Sequence, residues 1–213
     1  MRKVTLPPAS GQAESTPERL VTAVETLLAE RPDLDVSLRD ITAAAGTNVA
    51  AVNYHFGSKD ALVTAVIERA LTAHAGQQLA ALRAARAAER CDLEGVVRAW
   101  IGPSVEAGTA LIPRVAARVV SGGSPELREL GTRTHAETYA LLFALLAERL
   151  PALSTAELTF RVNMAATAVA SMIVGPFDET SVAGRPPVAR DAHTLDRAVR
   201  FIVAGLQAPP ATP

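Results

Sequence analysis

SLRDITAAAGTNVAAVNYHFGSKDAL, residues Ser37–Leu62, is the stretch that decides the fold. Ser37 is placed to cap a short helix, with Asp40 three residues on to complete a capping box and Ile41 and Ala44 on its buried side. Gly46 falls where a helix C-terminus calls for a left-handed residue, and Asn48 can cap a second helix just after it. Ser58 opens a third. Helix, glycine turn, helix is the unit that lays its second helix in the major groove of DNA. The pattern points to a DNA-binding regulator.

Working outward, Thr16-Pro17-Glu18 signals a helix start, and Leu20, Val24, Leu27 and Leu28 give that helix its apolar stripe up to Arg31-Pro32. The helix from Ser58 should run through Leu62, Val66 and Ala70 to about Leu82, with a kink or break at Gly76. Downstream, helical spacing recurs from Asp92 to Ile101 and over Ile112–Val120. After the Ser121-Gly122-Gly123 break it resumes from Ser124 to Leu150, from a Ser154/Glu157 capping box to about Val174, and over Ala192–Leu206. No stretch alternates with period two. The expectation is an all-α chain of about nine helices: an N-terminal three-helix DNA-binding domain, then a larger helical ligand-binding and dimerisation domain. The expected parts are a disordered tail at 1–15 and the helix-turn-helix domain at 16–62, with its linking helix at 58–82. The effector and dimerisation domain follows at 63–207, with a mobile loop at Gly175–Arg190, and a frayed tail at 208–213.

Composition narrows the class. Hydrophobic residues make up 49% of 213 and aromatics only 4%, so the core must be built from Leu, Val, Ile and Ala. One cysteine, Cys91, leaves no internal disulfide and no multi-cysteine metal cluster, so a reducing cytoplasm is expected. No signal peptide or membrane-length apolar run is read. The four histidines lack metal-ligand spacing, and neither a phosphate loop nor a nucleophile elbow occurs, so neither cofactor nor enzyme activity is expected. Residues 1–75 hold seven basic and nine acidic side chains, so a bulk basic footprint is missing. Placement has to do the work.

The reading helix should be Asn48–Phe56. Thr47 and Asn48 offer polar groups at its start, although Asn48 can equally be a cap alone. Val49, Ala50 and Ala51 are small enough for close approach and for contact with a thymine methyl. Asn53 is either a bidentate partner for adenine or part of a solvated face. Ser37 and Arg39, from the preceding helix, belong beside this face, while Val52 and Phe56 belong to the core.

The run Ala45-Gly46-Thr47-Asn48, followed by Val52-Asn53-Tyr54-His55-Phe56-Gly57-Ser58-Lys59-Asp60-Ala61-Leu62, resembles the N-terminal signature of TetR family transcriptional repressors. It departs at Val49-Ala50-Ala51 and at Asn53, positions that bear on the operator sequence. The resemblance implies that Tyr54, His55 and Lys59 contact the DNA backbone. It also implies a homodimer on a palindromic operator, paired through a four-helix bundle, and release by a small-molecule effector held among the central helices. The apolar stripes Leu158, Val162, Ala165, Val169 and Met172, and Leu195, Val199, Ile202 and Leu206, are the expected dimer interface, the alternative being that they face the monomer's own core. Trp100, Tyr139, Phe143 and Met164 are expected to wall the effector cavity, with His135, Asn163 and Thr167 as polar groups. Arg118, one turn from Arg114, suits either an anionic ligand or a surface pair. A helical protein-interaction module without effector sensing is the alternative function.

Overall fold

A computed structural model describes residues 15–31, 35–106, 111–112, 115, 125–174 and 193–209. Among them lie nine α-helices of substantial length and no strand: α1 Thr16–Glu30, α2 Leu38–Ala44, α3 Val49–Phe56, α4 Lys59–Ala87, α5 Leu93–Val105, α6 Pro125–Thr134, α7 Ala136–Arg149, α8 Thr155–Val174 and α9 Thr194–Gln207. Contacts divide the chain into two compact units. The first holds α1–α3, α4 as far as Ala70 and, among the described residues further on, Leu111, Ile112 and Val115. The second holds the rest of α4 and α5–α9.

In the first unit, α1 begins one residue earlier than the sequence suggested. Ser15, expected in the tail, is its N-cap, and the Ser15 N–H donates to the Glu18 carboxylate at 2.8 Å. That bond holds the Glu18 pKa below its ordinary value. Arg31 ends α1 and ties it to the next helix, donating to Asp40 at 2.8 Å and to the Asp35 carbonyl at 3.2 Å. Leu20, Val24, Leu28, Ile41, Val52 and Leu62 are fully enclosed and supply the core of this unit.

In the second unit α5 is the central element, packed against α7, α8 and α9. Val96, Val97, Trp100 and Ile101 of α5 meet Leu142 and Leu146 of α7, Val162 and Val169 of α8, and Val199 and Ile202 of α9. Arg161, almost wholly buried on α8, closes the end of α9. It donates to the carbonyls of Leu206 at 2.8 Å and Ala208 at 2.6 Å, and to Glu157 at 2.7 Å. A cation at a helix C-terminus meets both the orphan carbonyls and the negative end of the helix dipole.

Three local expectations are corrected. Gly76 does not break α4, which is one helix from Lys59 to Ala87. Ala75, Gln78 and Leu82 are buried around it, and packing of this kind outweighs the roughly 1 kcal/mol propensity cost of a glycine. The predicted helix 124–150 is two helices, because His135 at φ −99°, ψ 7° interrupts it. Glu157 only half completes its capping box: its N–H donates to Ser154 Oγ at 3.2 Å, but its carboxylate goes to Arg161. Most of the helix predicted over Ile112–Val120, the Ser121-Gly122-Gly123 break and the Gly175–Arg190 loop lie outside the described residues.

Candidate functional site

The turn after α2 is a Schellman motif. Gly46, at φ +59°, donates to the Ala43 carbonyl at 3.3 Å, and Thr47 donates to Thr42 at 3.0 Å. Asn48 then accepts from the Ala51 N–H at 3.0 Å, so the Asn48 cap is real and leaves only its amide N–H groups for a partner. Gly57, at φ +81°, stops α3 after two turns, and Ser58 caps α4 by accepting from Ala61 at 3.1 Å. α3 is thus a two-turn rod capped at both ends, by Asn48 at its start and the left-handed Gly57 at its close.

One side of that rod is core and the other is open. Val52 and Phe56 are buried, whereas Ala50, Asn53, Tyr54 and His55 are exposed. Val49 is half exposed, and Tyr54 is 85% exposed, with its ring edge-on to His55 at 4.9 Å. An aromatic so far out of the core has no packing role within the chain. Thr47 and Ala51 are partly covered, and Ser37 and Arg39 are exposed at the start of α2, where Ser37 Oγ accepts from the Asp40 N–H at 3.1 Å. Lys59, at the first turn of α4, has its ammonium 3.8 Å from Asp35 and 3.7 Å from Asp60. These are loose pairs that a phosphate can displace. Small side chains, an amide, a phenol, an imidazole and an ammonium thus share one exposed end of the unit.

Residues 20–66 match the family model for bacterial regulatory proteins of the tetR family, and residues 98–205 match the tetracyclin repressor-like C-terminal domain. The chain belongs to the TetR family. A solved member, the TetR family transcriptional regulator PfmR from Thermus thermophilus, matches 94% of this chain and 100% of its own at TM-score 0.54 and 19% identity, a likeness of fold. No curated protein matches the chain. As a TetR family regulator the protein binds DNA and controls transcription.

In this TetR family member, the residues expected to pair two protomers lie elsewhere than on an outer surface. Leu158, Val162, Ala165, Val169, Val199, Ile202 and Leu206 are buried in the chain's own core, and Met172 and Leu195 pack against it. The buried side chains of this stripe leave little surface for a second copy, whereas Val169, Met172 and Ile202 also border a groove beside Phe201 on the open side of α8 and α9. The faces of α8 and α9 that remain open carry Phe160 at 60% exposure, Met164 at 56% and Phe201 at 71%. A signal for them was present: on each helical wheel these large apolar residues fall outside the main stripe.

The expected effector residues are likewise redistributed. Met164 and Asn163 point to solvent, because the stripe 158–162–165–169 that buries α8 leaves them on its other side. Trp100 is core, accepting at its carbonyl from Gln78 at 2.7 Å, and Phe143 packs against the same core. Thr167 bonds back to the Asn163 carbonyl of its own helix at 2.8 Å. Arg118 lies outside the described residues. His135 and Tyr139 come together, with ring centres 6.0 Å apart. They are joined by two residues the sequence reading did not select, His74 and Ser104, which bond to each other at 3.1 Å across α4 and α5.

No helix among the described residues is long and apolar enough to cross a membrane.

Proposed function

We propose that this TetR family protein is a homodimeric repressor, released from a palindromic operator by a small-molecule effector bound among the helices of its second unit. The observation that carries the DNA reading is the exposed α3 face. Val49, Ala50 and Ala51 allow the helix to press against base edges, Asn53 can bond adenine, and Thr47 and Asn48 lie at the entering end. Tyr54, His55 and Lys59, with Ser37 and Arg39, bond phosphates and set the register.

Pairing is required because one such unit makes too few contacts for useful specificity. A two-fold pair reads half-sites one helical turn, about 34 Å, apart. The face proposed for it is the open side of α8 and α9, where Phe160, Met164 and Phe201 stand in water in a single chain. Effector coupling needs only ~1–3 kcal/mol to change operator affinity 5- to 150-fold. α4 is common to both units, so a shift in its Leu71–Ala87 half is carried along one hydrogen-bonded helix to Lys59.

Selection of bound sequences from a random DNA pool tests this. Recovery of an inverted repeat with half-site centres one turn apart, lost on Asn53→Ala or Tyr54→Ala, is the expected result. Recovery of no sequence preference would end the reading.

A further inference from the structure

The second unit holds a polar cluster that its core does not require. His74 of α4 and His135, between α6 and α7, are both buried, with ring centres 5.8 Å apart. Tyr139, at the cluster's edge, is 37% exposed and marks its open side. His74 Nε2 meets Ser104 Oγ at 3.1 Å. His135 Nδ1 lies 3.1 Å from both the Gly131 carbonyl and the Thr134 hydroxyl; the carbonyl can only accept and the hydroxyl donates to the Leu130 carbonyl at 2.9 Å, so in the neutral ring Nδ1 carries the proton and Nε2 is a bare acceptor. Among the described residues neither His74 Nδ1, nor His135 Nε2, nor the Tyr139 hydroxyl makes a hydrogen bond. These ring nitrogens are not sealed off within the core, so two largely buried imidazoles with unbonded nitrogens, beside a phenol on the open side, can be reached by a partner from outside.

The cluster's charge balance says what that is. Burial, and for His74 the neighbouring His135 as well, lower both imidazole pKa values, His74 to about 4, so both rings are uncharged at neutral pH. No acidic group acts on either ring. The charged residues on the elements around them are exposed: Glu106 after α5, Arg133 of α6, and Glu137 of α7, which pairs with Arg83 of α4. A divalent metal would bring two uncompensated charges into a nonpolar region, and an alcohol, with one oxygen, would meet only one or two of these groups. A carboxylate arriving with one proton adds no net charge, and its two oxygens accept from Ser104, Tyr139 and a protonated imidazole.

We propose that His74, Ser104, His135 and Tyr139 form the polar end of the effector site, and that it binds the carboxylate of an otherwise apolar ligand together with one proton. This rests on the effector-sensing reading above. The proton sits on an imidazole or on the acid itself, and the stoichiometry is the same in either case. Around neutral pH, where free carboxylates are ionised and both imidazoles uncharged, affinity falls up to tenfold per pH unit.

Trp100, the chain's one tryptophan, belongs to the same unit and reports binding by its fluorescence. The probes are butyrate, octanoate, dodecanoate and benzoate, each beside its matched alcohol, titrated into the full chain from pH 5.5 to 7.5. Expected are saturable binding of at least one acid, a Kd that rises up to tenfold per pH unit, and a flat profile for the alcohol. The imidazole proton resonances of His74 and His135 should titrate at higher pH with the acid bound. His74→Asn, and separately Ser104→Ala in case the first fails to fold, should weaken the acid tenfold or more and leave the alcohol unchanged. Absence of binding by every acid, or a pH-independent Kd, overturns the proposal. Release of the selected operator by acid and alcohol alike, with the imidazole resonances unmoved, overturns the subsite but keeps effector sensing. Proton-coupled binding without release of DNA keeps the subsite and removes sensing.

Discussion

Phe201→Glu is the most direct test of how the protein assembles. A phenylalanine side chain offers about 200 Å² for burial, and with 71% of Phe201 exposed in the single chain, ~140 Å² remains to be covered. At about 25 cal/mol per Å² that is ~3.5 kcal/mol per ring, and a two-fold dimer holds two such rings. If pairing covers half of this surface, the loss is still ~3.5 kcal/mol per dimer, or more than a hundredfold in the dimer Kd. Setting two carboxylates into the same interface adds to it. Because Phe201 already faces water, helix content by circular dichroism should be unchanged. Sedimentation equilibrium should show a wild-type dimer and a monomeric variant at equal micromolar concentration, with operator binding weakened in parallel. A variant that dimerises with the wild-type Kd would refute the assignment of the open α8–α9 face.

Three other outcomes are expected. Tyr54→Ala, at a side chain 85% exposed, should leave the melting temperature unchanged and weaken operator binding by about 1.5–3 kcal/mol in a mobility-shift titration, since it removes a charge-assisted bond to phosphate. Arg161→Met should destabilise the chain by about 3 kcal/mol, because it strands the Leu206 and Ala208 carbonyls, and calorimetry should show melting lowered by roughly 6–12 °C. His74, with a native pKa of about 4 against 6.5 unfolded, is protonated more readily in the unfolded chain. Its share of stability is therefore complete above pH 6.5 and lost as pH falls through 4, about 3 kcal/mol in all. Urea denaturation of His74→Leu should show a shallower loss of stability than wild type over that range, and equal slopes would discard the assignment.

The reading end of the molecule was legible because its signals are local. Gly46 and Gly57 adopt positive φ, and Ser37, Asn48 and Ser58 cap the helices that follow them, all within a turn of where the residue types imply. A cap or a left-handed glycine acts on its neighbours in the chain, so residue identity and order suffice. The break at Gly76 and the single helix over 124–150 went wrong where local preference competes with packing. Propensity argued for a break at Gly76, and buried Ala75, Gln78 and Leu82 overrule it. Nothing local distinguishes His135 from other helical residues, yet its ring bonds back to Gly131 and the helix pauses there.

From order and residue type alone came the all-helical class, the helix-turn-helix and the outward face of α3, because these depend on periodicity and on bonds spanning three or four residues. Which side of α8 and α9 is left open, and that His74, Ser104, His135 and Tyr139 share one cluster, was decided by the tertiary structure. A helical stripe says which residues will be covered, not by what. α5 covers Leu158, Val162, Val199 and Ile202 and so leaves Phe160 and Phe201 bare. The cluster joins His74, Ser104 and the His135–Tyr139 pair, which lie 30 positions apart or more, and their meeting depends on how three helices pack rather than on any spacing along the chain.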